Sequence, residues 1–125
     1  MKIIYLLFAT ILSSQLVIAQ TFMTEEEILN TMPGSTVFGI AFSDGKTKVK
    51  QVIEKPKKEG KKKGKIVGDF GDERYQSKWY VKKGQWCEEW PGGSACWQLE
   101  RVNEMQIRVY DNGKPHQQLW KVVKP

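Results

Sequence analysis

Three rhythms of apolar and polar residues follow one another along this chain. The first is a mostly apolar run from Ile3 to Leu12, preceded by the single charge of Lys2. Ser13, Ser14 and Gln15 break it, and Val17 and Ala19 then stand at the two small-residue positions a signal peptidase reads. That layout predicts a secretory signal peptide over 1–19, cut after Ala19. A spanning helix needs about 20 predominantly apolar residues. This run is shorter and interrupted, and no later stretch is long and apolar enough to span a membrane. The second rhythm is helical. Thr24 is placed as an N-cap with Glu27 at the capping-box spacing, and Glu25 to Glu27 fill the first turn with acids. Ile28, Leu29 and Met32 give the segment one apolar side, and Pro33-Gly34 stops it. A helix this short is expected to plug the end of a sheet or barrel.

From Thr36 onward the rhythm is that of strands and turns. "TVFGIAFS" is rich in β-branched and aromatic residues and runs into the turn "SDGK". "KVKQVIEK", "KIVGDF" and "RYQSKWYV" follow, the second strand carrying Val49, Val52 and Ile53 among its lysines. "KKG" then turns into "QWCEEW", and "PGG" into "SACWQL". "MQIRVY" alternates Met105, Ile107 and Val109, "DNGK" is a strong hairpin signal, and "QQLWKVV" closes the chain. About eight short strands with a turn every 8 to 12 residues or so predict a mainly β fold. The expected architecture is a small antiparallel β-barrel, calycin- or lipocalin-like or similar, with a short N-terminal helix. Residues 20–125 suit one such domain.

The two cysteines sit in the most patterned hairpin. With Pro91-Gly92 as a tight turn between Trp90 and Gly93, Cys87 falls directly opposite Cys96 and Trp86 opposite Trp97. Directly opposed residues have Cβ atoms within about 5.5 Å, close to what a disulfide requires. An exported protein meets an oxidising compartment, where two thiols pair. A redox pair of the C-x-x-C kind has different spacing. Zinc requires four ligands, and His116 is the one histidine available. The expectation is a structural Cys87–Cys96 disulfide, with no metal and no cofactor. The same register puts Trp86, Trp90, Trp97 and Leu99 on one face with Glu88, and Glu89, Gln98 and Glu100 on the other.

Charge changes the picture at one place. The chain carries 20 basic and 14 acidic side chains, a formal net charge of +6. Seven lysines and two glutamates lie in 54–65, "EKPKKEGKKKGK", so this segment alone supplies +5. The first reading is a solvated, mobile hairpin loop kept polar for solubility. The functional reading is contact with an anionic polysaccharide or lipid surface through Lys57, Lys58, Lys61, Lys62 and Lys63. Nucleic acid is not expected as a partner, because no aromatic residue interleaves the lysines between Lys50 and Gly64.

Reaction chemistry is thinly represented. His116 follows Pro115 in a turn or strand start, and no motif supplies it with a nucleophile. Glu88 and Glu89 are adjacent on a strand, point to opposite faces and so cannot flank one bond. No P-loop, dinucleotide fingerprint or zinc-protease motif is present. The five tryptophans belong mostly to a barrel core. Trp90, beside the turn, is the one expected to be exposed, and with Glu88 it forms the candidate ligand contact. The expected setting of Glu88 is a hairpin tip in water, the alternative the open rim of the barrel.

Leu29, Gly34, Thr36, Gly39, Trp79, Cys87, Trp90 and Cys96 together make a pattern of leucine, Gly-x-Thr-x-x-Gly, a tryptophan, Cys-x-x-Trp and a second cysteine. It resembles the DUF-995-type family of small exported bacterial proteins, a family with no assigned function. Ser77 stands where that family's pattern has a glycine, and the lysine-rich insertion is peculiar to this chain. The resemblance implies an exported β-domain with a hairpin disulfide and supplies no substrate. The expected function is therefore that of a periplasmic or secreted monomeric binding protein, not an enzyme, for a small ligand or an anionic envelope component. An inhibitor of wall-degrading enzymes is the alternative reading and a hydrolase the third.

Overall fold

Thr24 caps the first helix as the sequence predicts. The structure, a computed structural model, describes residues 21–125, so the expected signal peptide lies outside the described residues. Helix α1 (Glu25–Thr31) carries a complete capping box. The Glu27 amide donates to the Thr24 hydroxyl over 3.2 Å, and the Glu27 carboxylate accepts from the Thr24 amide over 3.3 Å. Two of the four orphan amide donors of the first turn are thus satisfied. Ile28 and Met32 are fully buried and join the same core as Trp79 and Trp86. After the helix the chain turns at Gly34, whose φ of 83° suits a residue without Cβ, and its amide donates to the Ile53 carbonyl. The helix therefore closes one end of the sheet.

The strands are β1 (Thr36–Ile40), β2 (Lys48–Ile53), β3 (Lys63–Phe70), β4 (Glu73–Lys82) and β5 (Gln85–Trp90), followed by β6 (Gly93–Arg101), β7 (Gln106–Asp111), β8 (Lys114–Pro115) and β9 (Trp120–Val123). Consecutive strands from β1 to β7 pair antiparallel. β9 pairs with both β7 and β1, which closes eight strands into a barrel. The two-residue β8 is an extra strand on the same edge of β7. Tyr110 pairs with Pro115 and Ile107 with Trp120, so the returning strand is broken and its register slips by two residues at 116–119. Closure removes the free edges that an open sheet exposes.

Several sequence expectations shift by a residue or a face. Met105 is exposed and precedes β7, whose inward positions are Ile107 and Val109. In β2 the inward set is Val49, Gln51 and Ile53, and Val52 faces out. β3 begins at Lys63, so the last three residues of the lysine-rich segment belong to a strand, not a loop. The cysteine hairpin has the register its sequence implies. Cys87 pairs with Cys96, Trp86 with Trp97 and Trp90 with Gly93, and the cysteines form a disulfide with Cα atoms 4.0 Å apart.

The half of the barrel next to α1 is packed solid. Ile53, Ile66, Trp79, Trp86, Leu99 and Ile107 are all fully buried there, and the Trp79 and Trp86 rings stack with centroids 5.2 Å apart. Room for Trp79 comes from Gly64, paired with it across β3 and β4, where a Cβ would stand 2.6 Å from the indole nitrogen. That nitrogen donates to the Glu54 carbonyl over 2.9 Å.

Candidate ligand site at the barrel mouth

Toward the other end the inward positions change character. β1 offers Val37, Gly39 and Ala41 just past its end, while β5, β6 and β9 offer Trp90, Trp97 and Trp120. The small residues of β1 and its turn, across the barrel from Trp90, leave a gap that side chains do not fill. Trp120, on the neighbouring strand β9, lies over Gly39, where a Cβ would come within 2.9 Å of its ring. The result is an open cavity of about 310 Å³, lined among others by Val37, Ala41, Phe42, Val49, Phe70 and the three tryptophans. Its volume lies at the small end of the range for ligand pockets.

Phe42 sits at the rim. The turn that carries it is held by Asp44, whose carboxylate accepts from the Lys46 and Thr47 amides at 2.8 and 2.9 Å and from the Thr47 hydroxyl. These bonds hold the Asp44 carboxyl below its ordinary pKa, the Thr47 hydroxyl contributing most. The Phe42 ring stacks on His116 at 3.9 Å and meets Trp97 edge-on at 5.8 Å. His116, which the sequence places in a turn or strand start, is half-buried against this ring in the break between β8 and β9. Its Nε2 is buried without a hydrogen-bond partner.

One carboxylate lines the apolar cavity. Glu88 is 1 % exposed, which corrects the expectation of a hairpin tip in water. Its strand is paired on both sides, opposite Trp79 and Ala95, both inward-facing, so the barrel wall encloses it. Gln51 Nε2 donates to Glu88 Oε1 over 2.8 Å. This is the single hydrogen bond to that carboxyl among the described residues. Burial disfavours the charged form and pushes the Glu88 pKa up to about 7, against the opposing pull of the Gln51 hydrogen bond. Beside this pair the Tyr75 hydroxyl is buried and unpartnered. Gln51 lies near enough to lower its pKa but out of hydrogen-bond geometry, and burial, with a smaller contribution from Glu88, raises it to about 12. Glu88 and Gln51 thus form a polar pair in the wall of an otherwise apolar chamber. Gln51 and Tyr75 carry no motif that marks them in the sequence. The signal for Gln51 was its place between Val49 and Ile53 in a period-2 strand.

Trp90, expected to be exposed, is half-buried at the mouth, where its ring lies 5.0 Å from that of Tyr75. Both candidate contacts from the sequence, Glu88 and Trp90, therefore line one cavity. Glu89, next along the strand, is exposed on the outer face, as alternation requires. The lysine candidates lie elsewhere. Lys57, Lys58, Lys61 and Lys63 border a wide groove on the outer wall, together with Lys55, Lys65 and Lys78, which sequence reading did not select. Lys62 turns away and pairs with Glu25 over 3.1 Å. Among the described residues no group of three or more His, Cys, Asp or Glu side chains converges as a metal site would need, and no helix is long and apolar enough to cross a membrane.

Compared with known proteins, the chain matches no family, no curated protein and no solved structure.

Proposed function

We propose that this chain is an exported, non-enzymatic binding protein. Its barrel mouth takes a small, mostly apolar molecule carrying one hydrogen-bond donor or cationic group. The observation that carries this reading is a single one: an open apolar cavity with Glu88 buried in its wall. A carboxylate removed from water is costly unless another group satisfies it. Gln51 supplies one donor, and a ligand's donor group supplies the next. The apolar body of such a ligand lies against Trp90, Trp97 and Trp120, whose rings contribute large contact area at little conformational cost. The Cys87–Cys96 disulfide fits a periplasmic or extracellular setting. Membership of the DUF-995-type family belongs to the same proposal. Two of its pattern residues, Gly39 and Trp90, line the cavity.

Titration with the neutral apolar dye N-phenyl-1-naphthylamine, followed by its emission, tests this reading. The wild-type protein should bind one equivalent saturably. Val49→Trp, which fills the mouth from a half-buried inward position, should abolish binding while leaving the melting temperature near its wild-type value. Undiminished binding by that variant, or emission that rises without saturating, contradicts a cavity site.

A further inference from the structure

Outside the barrel, and separate from its mouth, the lysine-rich segment folds against the wall. Its two ends are fixed there. At one, the Glu54 amide donates to the Lys65 carbonyl over 2.9 Å and the Glu54 carbonyl accepts the Trp79 indole N–H. At the other, the Val81 amide donates to the Lys62 carbonyl over 2.9 Å. Between the segment and the outer faces of β3 and β4 lies a groove of about 910 Å³. Lys55, Lys57, Lys58 and Lys61 come to it from the segment, and Lys63, Lys65 and Lys78 from the strands. Two acids, Glu54 and Glu89, share the lining, so the seven lysines leave a charge of +5 in the groove.

Among the described residues no carboxylate forms an ion pair with a groove lysine. The ion pairs among the described residues are Lys62–Glu25, Arg74–Asp69 and Arg108–Glu100, and none uses a groove lysine. Lys65 and Lys78 stand directly opposite each other across β3 and β4, a like-charge pairing that destabilises a sheet. Lys78 also faces Glu89 across β4 and β5 without an ion pair. Lys62, the one loop candidate outside the groove, is the one with a carboxylate partner. Positive charge is thus concentrated on both walls of the groove, where it costs stability.

We infer that this groove binds a linear anionic polysaccharide, a sugar chain bearing carboxylate or ester-anion groups. The groove is concave with lysines on both walls, a form that surrounds a chain. A flat bilayer would instead touch the lysine tips of a convex patch. Tyr80, half-buried and directly opposite Lys63, presents a ring to the groove on which a sugar face can lie. Trp79 also borders the groove but is fully buried, so Tyr80 is the accessible aromatic. Single-stranded nucleic acid binding relies on several stacking platforms along a basic groove, which favours the sugar chain over an oligonucleotide.

Fluorescence anisotropy of a labelled oligogalacturonate at low salt tests the proposal, with the double variant Lys65→Gln/Lys78→Gln against Lys62→Gln. The double variant leaves the loop intact and should weaken binding by about tenfold or more, a loss of about 1.4 kcal/mol or more. Lys62→Gln should change it less than about twofold, since that lysine is outside the groove. The double variant should melt no lower than wild type, because it relieves an opposed like-charge pair. Binding should fall steeply with added salt, as exposed charges are screened beyond roughly 8 Å at physiological ionic strength. Equal losses in both variants would reduce the effect to diffuse charge attraction and overturn the groove. Tighter binding of an oligonucleotide, or of vesicles containing anionic phospholipid, would overturn the choice of partner.

Discussion

Glu88 is the residue on which the account of the cavity turns, and its burial has a measurable consequence. Its carboxyl has a pKa of about 7 in the folded barrel against an ordinary 4.5. Below the lower value the group is protonated in both states, and the folded protein has its full stability. Between the two values only the folded state holds the proton, so stability falls as pH rises. Above about 7 the loss is complete and amounts to about 3 kcal/mol. Glu88→Gln keeps an acceptor for Gln51 and removes the charge. Urea unfolding should therefore show the variant more stable than wild type at alkaline pH, and no longer sensitive to this titration. Equal pH dependence of the two proteins would mean that water reaches Glu88 freely. Alternation along "QWCEEW" already places Glu88 on the tryptophan face. What the sequence could not reveal is that β5 is covered on both sides, since that depends on which distant strands pair with it.

Among the elements, the hairpins were the most legible and the broken strand the least. Pro91-Gly92 fixed the pairing of β5 with β6, and with it the disulfide and the opposed tryptophans, because a turn and a period-2 pattern determine register together. The Asn112-Gly113 turn was equally plain, and Asn112 takes a φ of 50° there. The turn from β4 to β5 uses Lys83 at φ 52° followed by Gly84 at 72°, a left-handed pair in which lysine is the less suited residue. Lys83→Asn should raise stability by about 0.5–1 kcal/mol in chemical denaturation without altering the slope of the transition. A loss of stability would mean that the Lys83 side chain makes a contact outweighing its backbone strain. The interruption at 116–119 had no sequence signal beyond Pro115. It arises because β9 must leave β8's register to reach both β7 and β1, and this brings His116 onto Phe42. The end of the lysine-rich segment departs from the loop its composition predicts, since Lys63 and Lys65 pair as strand with their side chains facing out.

At the scale of the whole molecule, the strand count, the helix and the mainly β class were readable from periodicity and turns. Whether the barrel was full or hollow was not. Five tryptophans suggest a filled interior, and the end near α1 is filled, with Trp79 and Trp86 stacked beneath the helix. The mouth is hollow because its small residues, Gly39 and Ala41, belong to β1 and its turn, while its large ones belong to strands later in the chain. Closure through β9 sets β1 across the barrel from β5 and brings Trp120 beside Gly39. The same closure leaves an outer wall on which strand lysines and loop lysines meet, so one barrel presents an apolar chamber and a basic groove on separate surfaces. The most direct test of the chamber is calorimetric titration with an arylalkylamine from about pH 5 to about pH 8, where Glu88 gains its charge and the amine keeps its own. The account predicts binding with a negative heat-capacity change that strengthens as pH rises in wild type and stays flat in Glu88→Gln. Binding of equal strength at both ends of that range in wild type, or none at either, would contradict it.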